Sequence, residues 1–75
     1  MNIKRKLMRY AMLYIAEQVE EVFPDNENMT PEKFIDLTET EFIYEESIDG
    51  SRMDAHLTII QHGEMDAEFT FNISR

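Results

Sequence analysis

Apolar residues in the first third of the chain recur at helical spacing. They follow one another in steps of four and three residues, which is the pattern of an apolar stripe on an amphipathic helix. The stripe consists of Met8, Met12, Ile15, Val19 and Val22, and Leu7, Ala11, Ala16 and Phe23 widen it. Pro24 cannot continue a helix, because its nitrogen has no hydrogen to donate. The pattern predicts a helix over about residues 3–23.

A second, shorter helix is predicted after a polar connection. Thr30 can accept a hydrogen bond from the first turn, and Pro31 suits the first helical position, where a backbone N–H would be unpaired anyway. Phe34, Ile35 and Leu37 give the segment one apolar side. We expect this helix over residues 31–38.

From residue 42 onward the apolar period changes to two, which indicates β-strands with one apolar face. Asp49-Gly50 and His62-Gly63-Glu64 are turn signals that divide this part into three strands. The apolar positions are Phe42, Tyr44 and Ile48, then Met53, Ala55, Leu57 and Ile59, then Ala67, Phe69, Phe71 and Ile73. The predicted fold class is α+β, with a long N-terminal amphipathic helix and a short second helix packed on a three-stranded antiparallel β-meander.

Length and composition predict one acidic domain, residues 1–75. The chain has no cysteine, so no disulfide or thiolate zinc site can stabilise it. Small domains without such links often gain stability by oligomerising, and we expect a homodimer. The bases Lys4–Arg9 before the apolar run Tyr10–Ala16 loosely look like a signal peptide, but the run is short and no cleavage site follows. We expect a soluble cytoplasmic protein.

Acidic residues dominate the charge. The formal net charge is −9, and all sixteen acids lie in residues 10–75, because the first nine residues contain four bases and no acid. A surface formed by so acidic a segment repels nucleic acid and anionic lipid, which are themselves negatively charged. We therefore expect no direct nucleic-acid partner and no membrane, and a basic protein surface as the natural partner. Mere solubility is the alternative explanation of the same charge.

No residue pattern predicts catalysis, a metal site or a cofactor. His56 and His62 lie six residues apart across a strand end, which does not place them on one metal. Asp49-Gly50-Ser51 lacks the alternating ligands and final Glu of a calcium loop, and two glycines hardly build a phosphate loop. A three-stranded sheet under one helix leaves little room for a pocket that perturbs carboxylates. We expect that the chain is not an enzyme.

The outer face of the long helix carries its charges in the order that the helix dipole disfavours, with bases near the N-terminus and acids near the C-terminus. Two copies crossing antiparallel at Leu13 would place Lys6 against Glu20 and Arg9 against Glu17 of the partner, as a two-fold axis requires. The predicted dimer interface consists of Lys6, Arg9, Leu13, Glu17 and Glu20. A mixed-charge solvent face is the alternative interpretation.

The predicted sheet also carries a group of carboxylates. Same-face residues of a strand repeat at about 6.7 Å, and phosphates along one DNA strand advance about 3.4 Å in axial rise. Carboxylates at every second strand position would therefore match alternate phosphates. The predicted partner-binding residues are Glu39, Glu41, Glu45, Glu46, Asp49, Asp54 and Glu68. A solvated acidic sheet face is the alternative.

In its size, its lack of cysteine, its acidic run Glu39–Asp49 and its expected dimer, the chain resembles the small acidic phage proteins that mimic DNA. The resemblance is one of kind and covers the whole chain rather than a motif. It implies an inhibitor that binds a basic DNA-binding host protein, such as a nucleoid-associated protein, and blocks its DNA binding. The alternative is a protein-interaction or regulatory module, antitoxin-like or a subunit, that docks through its apolar helix.

Overall fold

The computed structural model describes residues 2–74 as two helices followed by a three-stranded antiparallel sheet. The elements are α1 (Ile3–Val22), α2 (Pro31–Leu37), β1 (Glu41–Asp49), β2 (Arg52–Gln61) and β3 (Glu64–Ser74). The strands lie side by side in the order β1-β2-β3. The predicted α+β meander is confirmed, and each helix ends one residue earlier than the sequence indicated.

Both helices begin at a side chain that accepts a hydrogen bond from the first turn. Asn2 Oδ1 accepts from the backbone N–H of Arg5 at 3.0 Å, and Thr30 Oγ1 accepts from that of Lys33 at 3.2 Å. Each cap satisfies one of the N–H groups that a helix leaves unpaired at its start. At the other end of α1, the N–H of Phe23 donates to the carbonyl of Val19 before the chain turns away.

The two hairpin loops have two residues each and use different turn geometries. Asp49 still pairs with Arg52, so the first loop is Gly50-Ser51, in which Gly50 has a φ of +62°. The second loop, His62-Gly63, has φ values of +51° and +79°. A positive φ at the first loop residue alone is typical of a type II′ turn, and two positive values are typical of type I′. Both types suit the twist of paired strands.

The core lies between α1 and the central strand. The buried residues of α1 recur every fourth position, and they meet the buried side chains of β2. This buried set comprises Ile3, Leu7, Ala11, Ile15 and Val19 of α1, Ala55, Leu57 and Ile59 of β2, and Phe34 of α2. The predicted stripe shares Ile15 and Val19 with this set but differs at three positions: Met8 and Met12 lie half-buried on the flank of the helix, and Val22 is 58% exposed. Both stripes are apolar, and only contact with the sheet selects between them.

One helix does not fully cover the sheet. A helix is about 10 Å across with its side chains, and three strands with their side chains are wider. The inward side chains of β1 and β3 are consequently half-buried or exposed rather than buried. Long side chains of α1 extend over them: the Lys4 ammonium lies 5.7 Å from the ring centre of Tyr44, and that of Lys6 lies 5.3 Å from the ring centre of Phe71.

Candidate functional site

The face of the sheet that points away from α1 is open and acidic. Because α1 packs on the opposite face, the outward side chains of β1 and β3 are exposed. Those of β2 are half-buried between them, apart from the exposed Arg52 at its start. Strand pairing places Asp54 beside Ser47 and Thr58 beside Ile43, and Glu68 lies on the other side of Thr58. We call this surface the acidic face; its carboxylates belong to Glu41, Glu45, Asp49, Asp54 and Glu68.

The five carboxylates are spread evenly along the strand direction. On β1 the carboxylates recur only every fourth residue, because Ile43 and Ser47 occupy the positions between them. Asp54 lies at the level of Ser47 and Glu68 at the level of Ile43, so the neighbouring strands fill both gaps. One carboxylate therefore stands at each level of about 6.7 Å, over a total of about 27 Å. The sequence predicted this spacing along one strand, whereas in the structure carboxylates from three strands together produce it.

The carboxylates of the acidic face differ in their local partners. Asp54 accepts from Arg52 Nε at 3.0 Å, and the Glu68 carboxylate lies 4.0 Å from His56 Nδ1. Within residues 2–74, Glu41, Glu45 and Asp49 form no ion pair. Among the described residues, edge strand β1 thus presents three carboxylates that are in no ion pair, so an external partner would replace no ion pair of this range.

Two of the predicted partner-binding residues lie off this face. Glu46 stands opposite Ala55, on the side of the sheet that α1 covers, and accepts a hydrogen bond from the Tyr44 hydroxyl at 2.7 Å. That hydrogen bond to a carboxylate raises the pKa of Tyr44. Glu39 precedes β1, in the connection from α2, with its carboxylate 3.8 Å from His62 Nδ1. Adjacent strand residues point to opposite faces, so the acidic run could not form one cluster.

The predicted dimer residues are also divided by the structure. A residue two positions along a helix is rotated by about 200°, so the line opposite the buried set is displaced from it by two residues. We call this line the outer ridge; it consists of Arg5, Arg9, Leu13, Glu17 and Glu21, all exposed. Lys6 turns toward Phe71 on β3. Glu20 lies beside Val19 and Phe23, next to the loop that leads to α2.

A polar cluster that the sequence did not reveal joins α1 to the far end of the sheet. A register shift between Ile59 and Ile60 leaves an extra residue, Asp66, in β3 and turns it toward the helix. Gln18 Nε2 donates to Asp66 Oδ2 at 3.1 Å, and Gln61 Nε2 donates to Gln18 Oε1 at 2.9 Å. Burial, then the hydrogen bond and negative charge of Asp66, raise the pKa of Tyr14. Strand alternation alone would have placed Asp66 outward.

Neither a metal centre nor a membrane segment is found in the described part of the chain. No three His, Asp or Glu side chains among residues 2–74 are grouped so that they could hold a metal ion. No helix in this range is long and apolar enough to cross a membrane.

Comparison with known proteins gives no further guidance, since no protein-family model, no curated protein and no solved structure matches this chain.

Proposed function

We propose that the acidic face binds the DNA-binding surface of a basic protein in the cytoplasm and blocks that protein's access to DNA. The observation that carries this proposal is the even ladder of five carboxylates, one at each same-face level of the sheet. At about 6.7 Å per level, the ladder advances by the axial rise of two phosphates along one DNA strand. A surface that contacts alternate phosphates along one strand would meet acceptors at a similar axial spacing.

The proposed binding is electrostatic. Arginine and lysine side chains that contact phosphate also form charge-assisted hydrogen bonds with carboxylates. Within residues 2–74 no ion pair involves Glu41, Glu45 or Asp49, so these carboxylates can accept such bonds directly. Because exposed charges are screened within about 8 Å at 0.15 M salt and about 3 Å at 1 M, the complex should weaken steeply as salt is added.

The first test is a pull-down from host-cell lysate with the tagged protein. Retained proteins are eluted with a salt gradient, with and without excess duplex DNA. We expect a basic DNA-binding protein to be released both by salt and by DNA, since the acidic face and DNA would compete for one surface. Retention of the partner through about 1 M salt and through excess DNA would contradict the proposal.

Charge neutralisation on β1 tests which surface is responsible. The triple variant Glu41→Gln, Glu45→Gln, Asp49→Asn removes three carboxylates of the acidic face with little change in shape. We expect its affinity for the captured partner to fall roughly tenfold or more, with a weaker salt dependence.

The matched control removes three exposed carboxylates from elsewhere on the chain. Glu27→Gln, Glu32→Gln, Asp36→Asn changes the net charge equally in and around α2. This control should retain most of the affinity. An equal loss in both variants would mean that the partner responds to net charge and not to the ladder.

A docking module that uses α1 is the second candidate. The observation in its favour is that Leu13 is 58% exposed and Tyr10 is 47% exposed on a helix whose opposite side is buried. Apolar contacts are not screened by salt. This function predicts that a partner stays bound at about 1 M salt and is lost on Leu13→Glu, with circular dichroism to show that the variant is folded.

A further inference from the structure

We propose that the outer ridge of α1 binds a second copy of this chain, in an antiparallel homodimer whose two-fold axis passes beside Leu13. The ridge lies opposite the buried residues of the helix, and all five of its side chains are exposed. Along the chain it reads Arg5, Arg9, Leu13, Glu17, Glu21, with one residue from each successive turn. It differs from the sequence-based interface, because the structure turns Lys6 and Glu20 to the flanks of α1.

In a single copy the charges of the ridge are poorly placed. Arg5 and Arg9 are like charges four residues apart, and so are Glu17 and Glu21, a spacing at which side chains on a helix are neighbours and repel. The first turn of α1 contains no acid and the last turn no base, so the helix dipole opposes the same arrangement. No ion pair within residues 2–74 involves any of these four side chains.

A two-fold axis at Leu13 converts these repulsions into attractions. Arg9 then meets the partner subunit's Glu17, and Arg5 meets the partner subunit's Glu21, with both pairs formed twice. The residue numbers in each pair are symmetric about thirteen, as an antiparallel crossing requires. Successive ridge residues are about 6 Å apart along the axis and turn by about 40° around it. The charges of the two ridges therefore meet when the helices cross at an angle, as in the common packing class of about −50° in which i±4 ridges interdigitate. A parallel dimer would instead place Arg9 beside Arg9.

Apolar groups near the crossing point would hold the two copies together. Leu13 is 58% exposed and Tyr10 is 47% exposed. An open recess along this part of α1 is lined by Arg5, Arg9, Tyr10, Met12 and Leu13, among others. Exposed ion pairs contribute little affinity but fix orientation and register. Contact between the two Leu13 side chains would supply the attraction, and the charges would select the antiparallel arrangement.

The dimer would place both sheets on the outside. Each α1 lies between its own sheet and the partner helix, so the layers follow the order sheet, helix, helix, sheet. The two acidic faces then point in opposite directions, separated by three layer spacings of about 10 Å each. This consequence rests on the proposed function: one dimer would bind two partner molecules, one on each side.

Reciprocal charge reversal tests the interface. We expect the protein to sediment as a concentration-dependent dimer at equilibrium. Arg9→Glu creates two Glu–Glu contacts and Glu17→Arg creates two Arg–Arg contacts, so each variant alone should dimerise at least about tenfold more weakly. An equimolar mixture of the two should restore the dimer as a heterodimer. The double variant Arg9→Glu, Glu17→Arg should restore a homodimer.

The dimer can be tested independently of the proposed function. Glu27→Arg makes the same charge change as Glu17→Arg in an exposed position off the ridge, and it should leave the dimer intact. A monomeric wild-type protein at all soluble concentrations, or failure of the mixture to restore association, would overturn this proposal. So would a dimer that neither single reversal weakens. Sedimentation needs no partner, and the monomeric Arg9→Glu protein should still bind a partner through the acidic face, one for one.

Discussion

Gln18 shows how one side chain can connect three elements. Its amide oxygen accepts from Gln61 at the end of β2, and its amide nitrogen donates to Asp66 in β3. The nitrogen also lies 3.4 Å from the Tyr14 hydroxyl, one turn earlier on α1. An amide has both a donor and an acceptor end, so this residue type can join two polar partners at the edge of the core.

We expect the Tyr14 hydroxyl to make the stability of the fold depend on pH. Because the folded-state pKa of Tyr14 is raised above its ordinary value of 10.0, the phenol ionises more readily in the unfolded chain. The corresponding stability is fully present below pH 10 and is lost as the pH rises through the raised pKa. We expect Tyr14→Phe to lose less unfolding free energy above pH 10 than the wild type, measured by urea unfolding across that range. Parallel curves for the two proteins would argue against the shift.

Each two-residue hairpin loop requires a positive φ, at one residue in the first loop and at both residues in the second. At Gly50 the φ of +62° is the only constraint, since nothing lies within 4 Å of the position that a Cβ would occupy. In the second loop His62 and Gly63 both have a positive φ, so a residue with a side chain adopts this conformation at the first position. The register of all three strands, and with it the order of carboxylates on the acidic face, begins at these loops.

Substitution of Gly50 separates backbone strain from steric fit. Gly50→Ala should lower the unfolding free energy by about 1 kcal/mol, because a residue with a Cβ is strained at positive φ. Gly50→Asn should cost about as much, since asparagine accepts positive φ mainly in the left-handed helical region and the first position of a type II′ turn lies outside it. Urea unfolding of both variants measures the two losses. A clearly smaller loss for Gly50→Asn would show that the loop is not of type II′.

The whole molecule is thin for its length. The Cα atoms extend over 48 × 24 × 15 Å, and their radius of gyration of 14.4 Å exceeds the roughly 11 Å typical of a compact domain of this size. A two-layer arrangement with one helix over a long meander exposes the outward face of the sheet along its full length. The net charge of −9 is therefore spread over a large surface around a small core.

This arrangement predicts that moderate salt stabilises the fold. Raising the ionic strength from about 0.01 to 0.15 M shortens the screening length from about 30 to 8 Å and weakens repulsion among the carboxylates. We expect the unfolding free energy to rise over this range at fixed protein concentration. The triple variant Glu41→Gln, Glu45→Gln, Asp49→Asn should start higher and rise less. A wild-type stability that falls with salt would show that attractive pairs outweigh the repulsion.

Much of the fold could be predicted from local patterns. The helical spacing of α1, the Thr30-Pro31 start of α2 and the alternation in β1 to β3 each reflect a period of the backbone itself. The site was harder to predict, because it depends on which residues face the same way. Glu46 follows Glu45 in the chain but lies on the other face of the sheet. Asp54 and Glu68 complete the carboxylate ladder only through strand pairing.

The sequence by itself determined the α+β class, the element order, the turns and the acidic charge, because these follow from residue periodicity and composition over short stretches. Only the tertiary structure decided which apolar stripe of α1 is buried, and hence that Arg5 and Glu21 rather than Lys6 and Glu20 lie on the outer ridge. It also decided that Asp66 turns inward at an irregularity in β3. The physical reason is that both outcomes depend on contacts between elements distant in the chain, where two local arrangements are nearly equivalent and packing selects one.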